Sequence, residues 1–113
     1  MNIKYIIGLF ILIINNSYAN NMQIEQNLSL TLAKKNACLG CHAIDRKVVG
    51  PSFSDIAKRY NYTQDPIIIQ ALSYKVQKGG GGSWGVVPMP ANAINSQDAK
   101  AIISWIMTIK NKK

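Results

Sequence analysis

Residues 38–42 of this chain read Cys38-Leu39-Gly40-Cys41-His42. Two thiols separated by two residues, with a histidine directly after the second, form the attachment pattern of a c-type haem. Each thiol can add to one haem vinyl group, and the two intervening residues set the separation of the resulting thioether bonds. The adjacent imidazole is then the proximal ligand of the iron. The motif therefore predicts one covalently bound haem c, attached to Cys38 and Cys41 and ligated by His42.

Other cysteine chemistry fits this motif less well. A redox-active Cys-x-x-Cys pair of the thioredoxin type belongs to a βαβ unit, of which the sequence shows no sign. A structural zinc site needs four ligands, but Cys38, Cys41 and His42 are the only cysteines and the only histidine of the chain. A tetrad of cysteine and histidine ligands therefore cannot be completed. A chance match to a five-residue pattern is the remaining alternative.

The beginning of the chain has the features of a secretion signal. Lys4 supplies a basic start, residues 5–14 form an uninterrupted apolar run, and Ala19 is a small residue suited to signal peptidase. A membrane span needs roughly twenty apolar residues, about twice the length of this run, so an uncleaved anchor is the weaker alternative. We expect a signal peptide over residues 1–19, a flexible segment over 20–27 and one domain over 28–113. The predicted location is the periplasm, where c-type haem is attached.

The length of the chain limits the number of domains, and its net charge limits the classes of partner. A mature chain of 94 residues allows one domain, and its small core predicts that folding depends on the haem. Of the 13 basic residues only Lys4 leaves with the leader, so twelve remain against five acidic ones. No arginine-rich arm or nucleic-acid motif accompanies this net charge of +7, and secretion argues against a nucleic-acid partner. The charge predicts electrostatic steering towards an acidic partner or an anionic membrane surface, although any single lysine is most simply part of a solvated face.

The apolar pattern predicts helices only. A first helix runs from about Leu28 to Ala37 and delivers the cysteines, and a short one covers residues 54–60. Asp65 and Pro66 begin a third helix that ends at Lys78; its apolar face comprises Ile67, Ile68, Ala71, Leu72 and Val76.

The last helix follows a long loop. Four consecutive glycines, residues 79–82, predict a flexible loop that continues to Val87. Ser96 is the expected cap of the final helix, and the residues 110–113 form a frayed basic tail. The buried side of that helix is predicted to comprise Ile102, Ile103, Trp105, Ile106 and Ile109.

The second axial ligand of the iron is predicted to be Met89. A single histidine excludes two histidine ligands, and Met1 leaves with the signal peptide. Met22 lies in the loose N-terminus, whereas Met107 is most simply core packing. Met89 stands between Pro88 and Pro90, which stiffen the segment and can hold a thioether at the iron with little ordering cost. An open or water-bound position is the alternative.

Together these segments resemble the small bacterial class I cytochromes c of the c-551/c-552 type. The resemblance covers about residues 28–110 and is carried by residues 38–45, by Val49-Gly50-Pro51, by residues 84–92 and by Trp105. It implies an all-α class I cytochrome c fold, in which about four short helices wrap around one covalent haem. The run of four glycines departs from the family pattern and suggests a more mobile loop before Trp84.

The resemblance also implies roles for residues around the cofactor. Pro51 matches the proline whose carbonyl accepts the Nδ1–H of the haem histidine, and Asn92 matches a residue whose side chain lies near the methionine sulfur. Trp84 matches an indole that donates to a haem propionate. Lys75 stands where some relatives carry an arginine on the propionate, but it lacks the planar fork of arginine. Trp105 belongs to the core.

The function implied is that of a soluble periplasmic monohaem one-electron carrier and not of an enzyme. It would be a monomer without stable membrane insertion after signal cleavage. Expected partners are redox proteins, such as a terminal oxidase, a nitrite reductase or a quinol-oxidising complex, which would present acidic patches. Two alternatives remain. A haem enzyme or gas-binding protein would need an open iron position, and a haem subunit of a larger complex would differ only in tight association.

Overall fold

The computed structural model describes residues 2–110 and contains four α-helices within them. Helix α1 spans Ile3–Lys35, α2 Phe53–Arg59, α3 Pro66–Lys78 and α4 Ser96–Ile106, and a single 3₁₀ turn, Cys38–Gly40, follows α1. This range contains no β-strand, only two isolated bridges. The predicted all-α architecture of about four helices is therefore confirmed. Of the predicted basic tail, residues 111–113 lie outside the described part of the chain.

Helix α1 is longer than the sequence suggested. It begins at Ile3 instead of near Leu28, and it includes residues 20–27, which we expected to be flexible. No proline interrupts this stretch, so the backbone can continue its hydrogen-bond ladder through the polar residues. The first buried side chain of the helix is Ser29, so packing begins close to the predicted domain start. Cleavage after Ala19 stays a prediction. Across the described range, no helix combines the length and the hydropathy that a membrane crossing requires.

Helix α1 also ends two residues before the predicted boundary. Its C-cap is Asn36, and Ala37 takes a left-handed conformation with φ of 59°. This conformation reverses the direction of the backbone and is unusual for a residue with a side chain. The cysteine motif therefore starts on a separate 3₁₀ turn.

Helices α2 and α3 begin where capping residues allow. Ser52 caps α2 by accepting a hydrogen bond from the backbone N–H of Asp55, and Asp65 caps α3 through the N–H of Ile67. Pro66 occupies the first turn, as predicted. The predicted apolar face of α3 was partly wrong, because Ile67 is 77% exposed and Ala71 is also exposed.

The observed inner face of α3 keeps Leu72 and Val76 from the prediction and adds Ile69 and Ser73. Its members recur at spacings of three and four and are Ile69, Leu72, Ser73 and Val76. Three consecutive isoleucines left the phase of the helix ambiguous in the sequence. Ser73 is tolerated inside because its hydroxyl donates to the carbonyl of Ile69 at 2.6 Å.

Helix α4 lies at the centre of the molecule and packs against both α1 and α3. Its cap is Asn95 and not Ser96, because the Asn95 side chain accepts from the N–H of Asp98 at 2.8 Å and also donates to the Asp98 carboxylate. Three isoleucines predicted to be inside are buried, and Met107 is 1% exposed, whereas Trp105 and Ile109 are only partly buried. The buried core comprises Ala33, Phe53, Ala57, Ile69, Ile94, Ala99, Ile102, Ile103, Ile106 and Met107.

Candidate haem site

The 3₁₀ turn presents both thiols and the imidazole within one short segment. The backbone N–H groups of Cys41 and His42 both bond to the carbonyl of Cys38, at 3.2 and 3.0 Å. Both cysteines are free and partly exposed. Burial raises the pKa of the Cys38 thiol because desolvation disfavours the thiolate, and a backbone hydrogen bond opposes this only in part.

The orientation of His42 is set by the chain that follows it. The Nδ1 atom lies 2.7 Å from the carbonyl oxygen of Pro51. A carbonyl can only accept a hydrogen bond, so Nδ1 carries the proton and Nε2 keeps its lone pair for a metal. The ring also stacks on Phe53, with centroids 5.5 Å apart and an interplanar angle of 24°. The imidazole is therefore held in the tautomer and ring plane that a haem ligand requires.

Gly50 leaves the space that the imidazole needs. A Cβ at this position would overlap Cε1 of His42 and come within 2.8 Å of Nδ1. Its N–H donates to the carbonyl of Cys41 at 2.8 Å, which fixes the turn between the histidine and Pro51. The sequence analysis used Gly50 only as part of a motif, so this steric role became visible only in the structure.

Met89 is brought to the site by backbone pairing with Gly80. The N–H of Met89 donates to the Gly80 carbonyl at 2.8 Å, and the N–H of Gly80 donates to the Met89 carbonyl at 2.9 Å. The two residues form one of the isolated antiparallel bridges. The glycine run is thus not simply a flexible loop, because Gly80 anchors the segment that carries the methionine.

All the residues predicted to hold the cofactor except Asn92 line one cavity of about 360 Å³. Its walls include both cysteines, His42 and Met89, which are far apart in sequence. The remaining wall is largely apolar and contains Phe53, Ile56, Leu72, Val76, Ile102 and Ile106. Two thiols, a correctly protonated imidazole and a thioether around an apolar cavity are the donors and surroundings that a c-type haem needs. The chemistry of the donor set therefore fits this cofactor.

The predicted outer residues of the site are not all placed as expected. Pro51, Lys75 and Trp84 line the cavity, and Lys75 donates from Nζ to the Ser83 hydroxyl at 2.8 Å. Asn92 lies elsewhere. Its amide donates to the backbone carbonyl of Asn36 at 2.9 Å, and it is not part of the cavity wall. The partner of this amide is thus a backbone carbonyl at the end of α1, and the proximity of Asn92 to the methionine sulfur stays a prediction.

Two residues near the cavity had no role in the sequence analysis. Phe53 follows Pro51 by two residues and stacks on the imidazole. Its aromatic side chain was the one feature of the sequence that could have suggested this contact. Arg59 stacks its guanidinium on Trp84 at 4.4 Å from the ring centroid and donates to the Ser83 carbonyl at 2.5 Å. No spacing in the sequence indicates that Arg59 contacts this loop, because Arg59 and Ser83 are 24 residues apart.

Comparisons with known proteins identify the family of the chain. A family model for cytochrome c matches residues 30–110. Cytochrome c-552 of Nitrosomonas europaea is 45% identical over 80 residues, which cover 70% of this chain and 76% of that protein. Cytochrome c-551 of Pseudomonas denitrificans is 39% identical over 79 residues, or 70% of this chain and 94% of that protein.

The fold is similar to that of a solved relative. The crystal structure of wild-type Nitrosomonas europaea cytochrome c552 superimposes with a TM-score of 0.66 at 44% sequence identity, and the alignment covers 72% of this chain and 99% of that one. The predicted class I cytochrome c fold is thereby confirmed. The chain belongs to the cytochrome c family, whose members are electron-transfer proteins, not enzymes, and carry one covalently bound haem c.

Proposed function

We propose that this protein is a soluble periplasmic one-electron carrier in which His42 and Met89 are the axial ligands of a haem attached to Cys38 and Cys41. The observation that supports the proposal is that these four residues, which come from two distant segments, line one cavity. A bound haem would supply a Fe(III)/Fe(II) couple, and ligation by one imidazole and one thioether would raise its potential into a range suited to electron transfer.

The residues of the chain support this role by restricting the surroundings of the cofactor. The carbonyl of Pro51 holds the Nδ1 proton of His42, so Nε2 stays available as a ligand without a change of tautomer. The pairing of Met89 with Gly80 fixes the backbone of the second ligand before it binds. The apolar side chains of the cavity wall would shield a bound haem from water, which favours a small structural change between the two oxidation states. No general base or second substrate site is needed.

The proposed partners follow from the net charge of the mature chain, and the proposed location follows from the predicted N-terminal signal peptide. The mature chain, if cleaved after Ala19, has a net charge of +7, which favours encounter with acidic surfaces on a redox protein. A terminal oxidase, a nitrite reductase or a quinol-oxidising complex are the partner classes proposed, with this protein as a monomer. Osmotic-shock release of the haem protein, with mass spectrometry of its N-terminus, tests the periplasmic location and the cleavage site together.

The axial ligands are tested by absorption spectroscopy of oxidised and reduced protein after periplasmic expression. The wild type should give a low-spin c-type spectrum with the weak methionine-to-ferric charge-transfer band, and Met89→Ala should lose that band. Met22→Ala is the matched control, because Met22 is 64% exposed and lies outside the cavity, and this variant should keep the band.

A high-spin wild-type spectrum, or a band indifferent to Met89→Ala, would contradict the proposed ligation. Either result would favour an open iron position and with it an enzyme or gas-binding protein. Co-purification with other subunits in a stable stoichiometry would instead show that the protein works as part of a complex.

A further inference from the structure

The loop that carries Trp84 is closed at its base and held at its far end. The Gly80–Met89 pair closes the base through two backbone hydrogen bonds. Between these residues the backbone takes positive φ at Gly82 and Gly85, and the N–H of Gly82 donates to the carbonyl of Gly85 at 3.1 Å. A segment so rich in glycine loses much conformational entropy when it is ordered. Contacts from outside the loop must therefore contribute to holding it in one conformation.

Two cations from different helices meet at Ser83, near the tip of this loop. Lys75 of α3 donates to the Ser83 hydroxyl at 2.8 Å, and Arg59, the last residue of α2, donates to the Ser83 backbone carbonyl at 2.5 Å. The Arg59 guanidinium also lies over the Trp84 ring, with Cζ 4.4 Å from its centroid. A planar guanidinium can make a hydrogen bond at its edge and stack with its face at the same time, whereas an ammonium cannot reproduce that geometry.

Burial alone does little to fix the tip of the loop. Trp84 is 38% exposed and Val86 is 96% exposed. Ser83 and Trp84 nevertheless line the cavity, whereas Arg59 does not. The contacts that link the Arg59 side chain to the cavity wall are those with these two loop residues.

We propose that Arg59 is a positioning residue that fixes the 80–89 loop over the cavity, through the Ser83 carbonyl and the Trp84 ring, and so limits access of small molecules to the haem iron. This inference rests on the proposed haem site, but its first readout does not depend on which residue ligates the iron. The guanidinium fork is the required feature, and the positive charge alone is not sufficient.

The test compares amide hydrogen exchange in the reduced holoprotein for wild type, Arg59→Ala, Arg59→Lys and Lys58→Ala. Lys58 is the matched control, because it is an exposed cation of the same helical turn and its removal changes the net charge equally. Loss of one cation–π contact and one charge-assisted hydrogen bond should speed exchange of the hydrogen-bonded loop amides, those of Gly80, Gly82 and Met89, about tenfold in Arg59→Ala. Arg59→Lys should resemble Arg59→Ala, and Lys58→Ala should resemble the wild type.

Cyanide binding to the oxidised protein is the second readout, and it should be faster in Arg59→Ala by a similar factor. Equal exchange rates in Arg59→Ala and Lys58→Ala would overturn the proposal, and so would full recovery in Arg59→Lys, since the charge and not the fork would then be responsible. A wild-type protein without the methionine charge-transfer band would refute Met89 ligation, while the exchange data would still decide the role of Arg59.

Discussion

Met89 and Gly80 exchange two backbone hydrogen bonds, at 2.8 and 2.9 Å, although nine positions separate them in the chain. The residue before this pair, Gly79, ends α3 with φ of 71°. A Cβ there would come within 2.5 Å of the Met89 carbonyl oxygen and 2.7 Å of the Ala91 nitrogen. The end of the third helix and the methionine segment are therefore in direct backbone contact, which only glycine permits.

Gly79→Ala should consequently weaken both the fold and the methionine position. A side chain at positive φ costs about 1–2 kcal/mol, and backbone overlap adds about 1–3 kcal/mol. Gly82→Ala is the control, because Gly82 has φ of 87° but its Cβ would meet nothing within 4 Å. Denaturant unfolding should show a larger loss of stability for Gly79→Ala, together with a weaker methionine charge-transfer band. Equal losses of stability in the two variants would show that the backbone moves to relieve the overlap without a cost in free energy.

Gly50→Ala should displace the imidazole of His42. The added Cβ would overlap the ring, and the ring cannot retreat freely because it is bonded to Pro51 and stacked on Phe53. We expect a loss of about 1–3 kcal/mol in the free energy of unfolding and a lower yield of protein with correctly ligated haem, measured as haem absorbance per polypeptide.

Gly40→Ala is the control for that substitution. Gly40 lies in the same attachment segment, but a Cβ there would meet nothing within 4 Å. Wild-type haem content is therefore expected for this variant. A Gly50→Ala protein with wild-type stability and spectrum would mean that the histidine loop shifts as a unit.

Asn92→Ala should destabilise the junction between α1 and the methionine segment. The Asn92 amide donates to the carbonyl of Asn36 at 2.9 Å, and its N–H donates to the Val76 carbonyl at 3.2 Å. Loss of the side-chain donor leaves a partly buried carbonyl unpaired, at a cost of about 1 kcal/mol.

Asn92→Asp serves as the matched variant, because it keeps the shape but replaces the donor by an acceptor. It should unfold at lower denaturant concentration than Asn92→Ala. If Asn92→Asp is as stable as the wild type, the hydrogen bond to Asn36 does not contribute. A charge-transfer band altered in Asn92→Ala with unchanged stability would instead support the predicted contact with the methionine sulfur.

Local sequence signals predicted the all-α architecture and the start of α3 well, because each rests on near neighbours in the chain. The Asp65 cap and Pro66 are examples, and the structure has both where they were expected. Haem attachment to Cys38 and Cys41 stays a prediction. The inner face of α3 was partly wrong because any of three consecutive isoleucines fits the helical pattern, and Ile69, not Ile67, is the buried one. The prediction of Ser96 as the cap was wrong because Asn95 takes that position, and both residue types serve equally well there.

Long-range relationships were the ones that the sequence could not supply. The contact of Arg59 with Trp84, the Asn92 bond to the end of α1, and the pairing of Gly80 with Met89 all join segments through tertiary packing. The composition of the glycine run predicted only a flexible loop and gave no sign of the pairing of Gly80 with Met89. Glycine is compatible both with a mobile loop and with a close backbone approach.

Removal of the cofactor should abolish the fixed tertiary structure. A cavity of about 360 Å³ lies beside the core, and the core residues Ile102, Ile103 and Ile106 form part of its wall. Without the haem these side chains lose an apolar partner that a chain of this size needs for a stable core. A Cys38→Ala/Cys41→Ala protein should therefore lose near-ultraviolet circular dichroism and dispersed methyl signals in proton NMR spectra. Retention of both would show that the helices pack stably without haem.

Electron exchange with charged small molecules should reveal the basic character of the cavity rim. Lys47 is exposed and lines the cavity, whereas Lys100 is an exposed cation of α4 that does not. Oxidation of the reduced protein by anionic ferricyanide should slow as ionic strength rises, because the Debye length falls from about 30 Å at 0.01 M to about 10 Å at 0.1 M. A cationic cobalt complex should show the opposite trend.

Substitution of each of the two lysines distinguishes an effect of the charge near the cavity from an effect of the net charge of the protein. Lys47→Ala should flatten the salt dependence with ferricyanide more than Lys100→Ala does, because the electron leaves near the cavity and the nearer charge acts over a shorter distance. Stopped-flow rates at several ionic strengths measure both slopes. Equal slopes in the two variants would mean that only net charge steers the encounter. A wild-type rate independent of salt would refute electrostatic steering altogether, and acidic partner patches would lose their support.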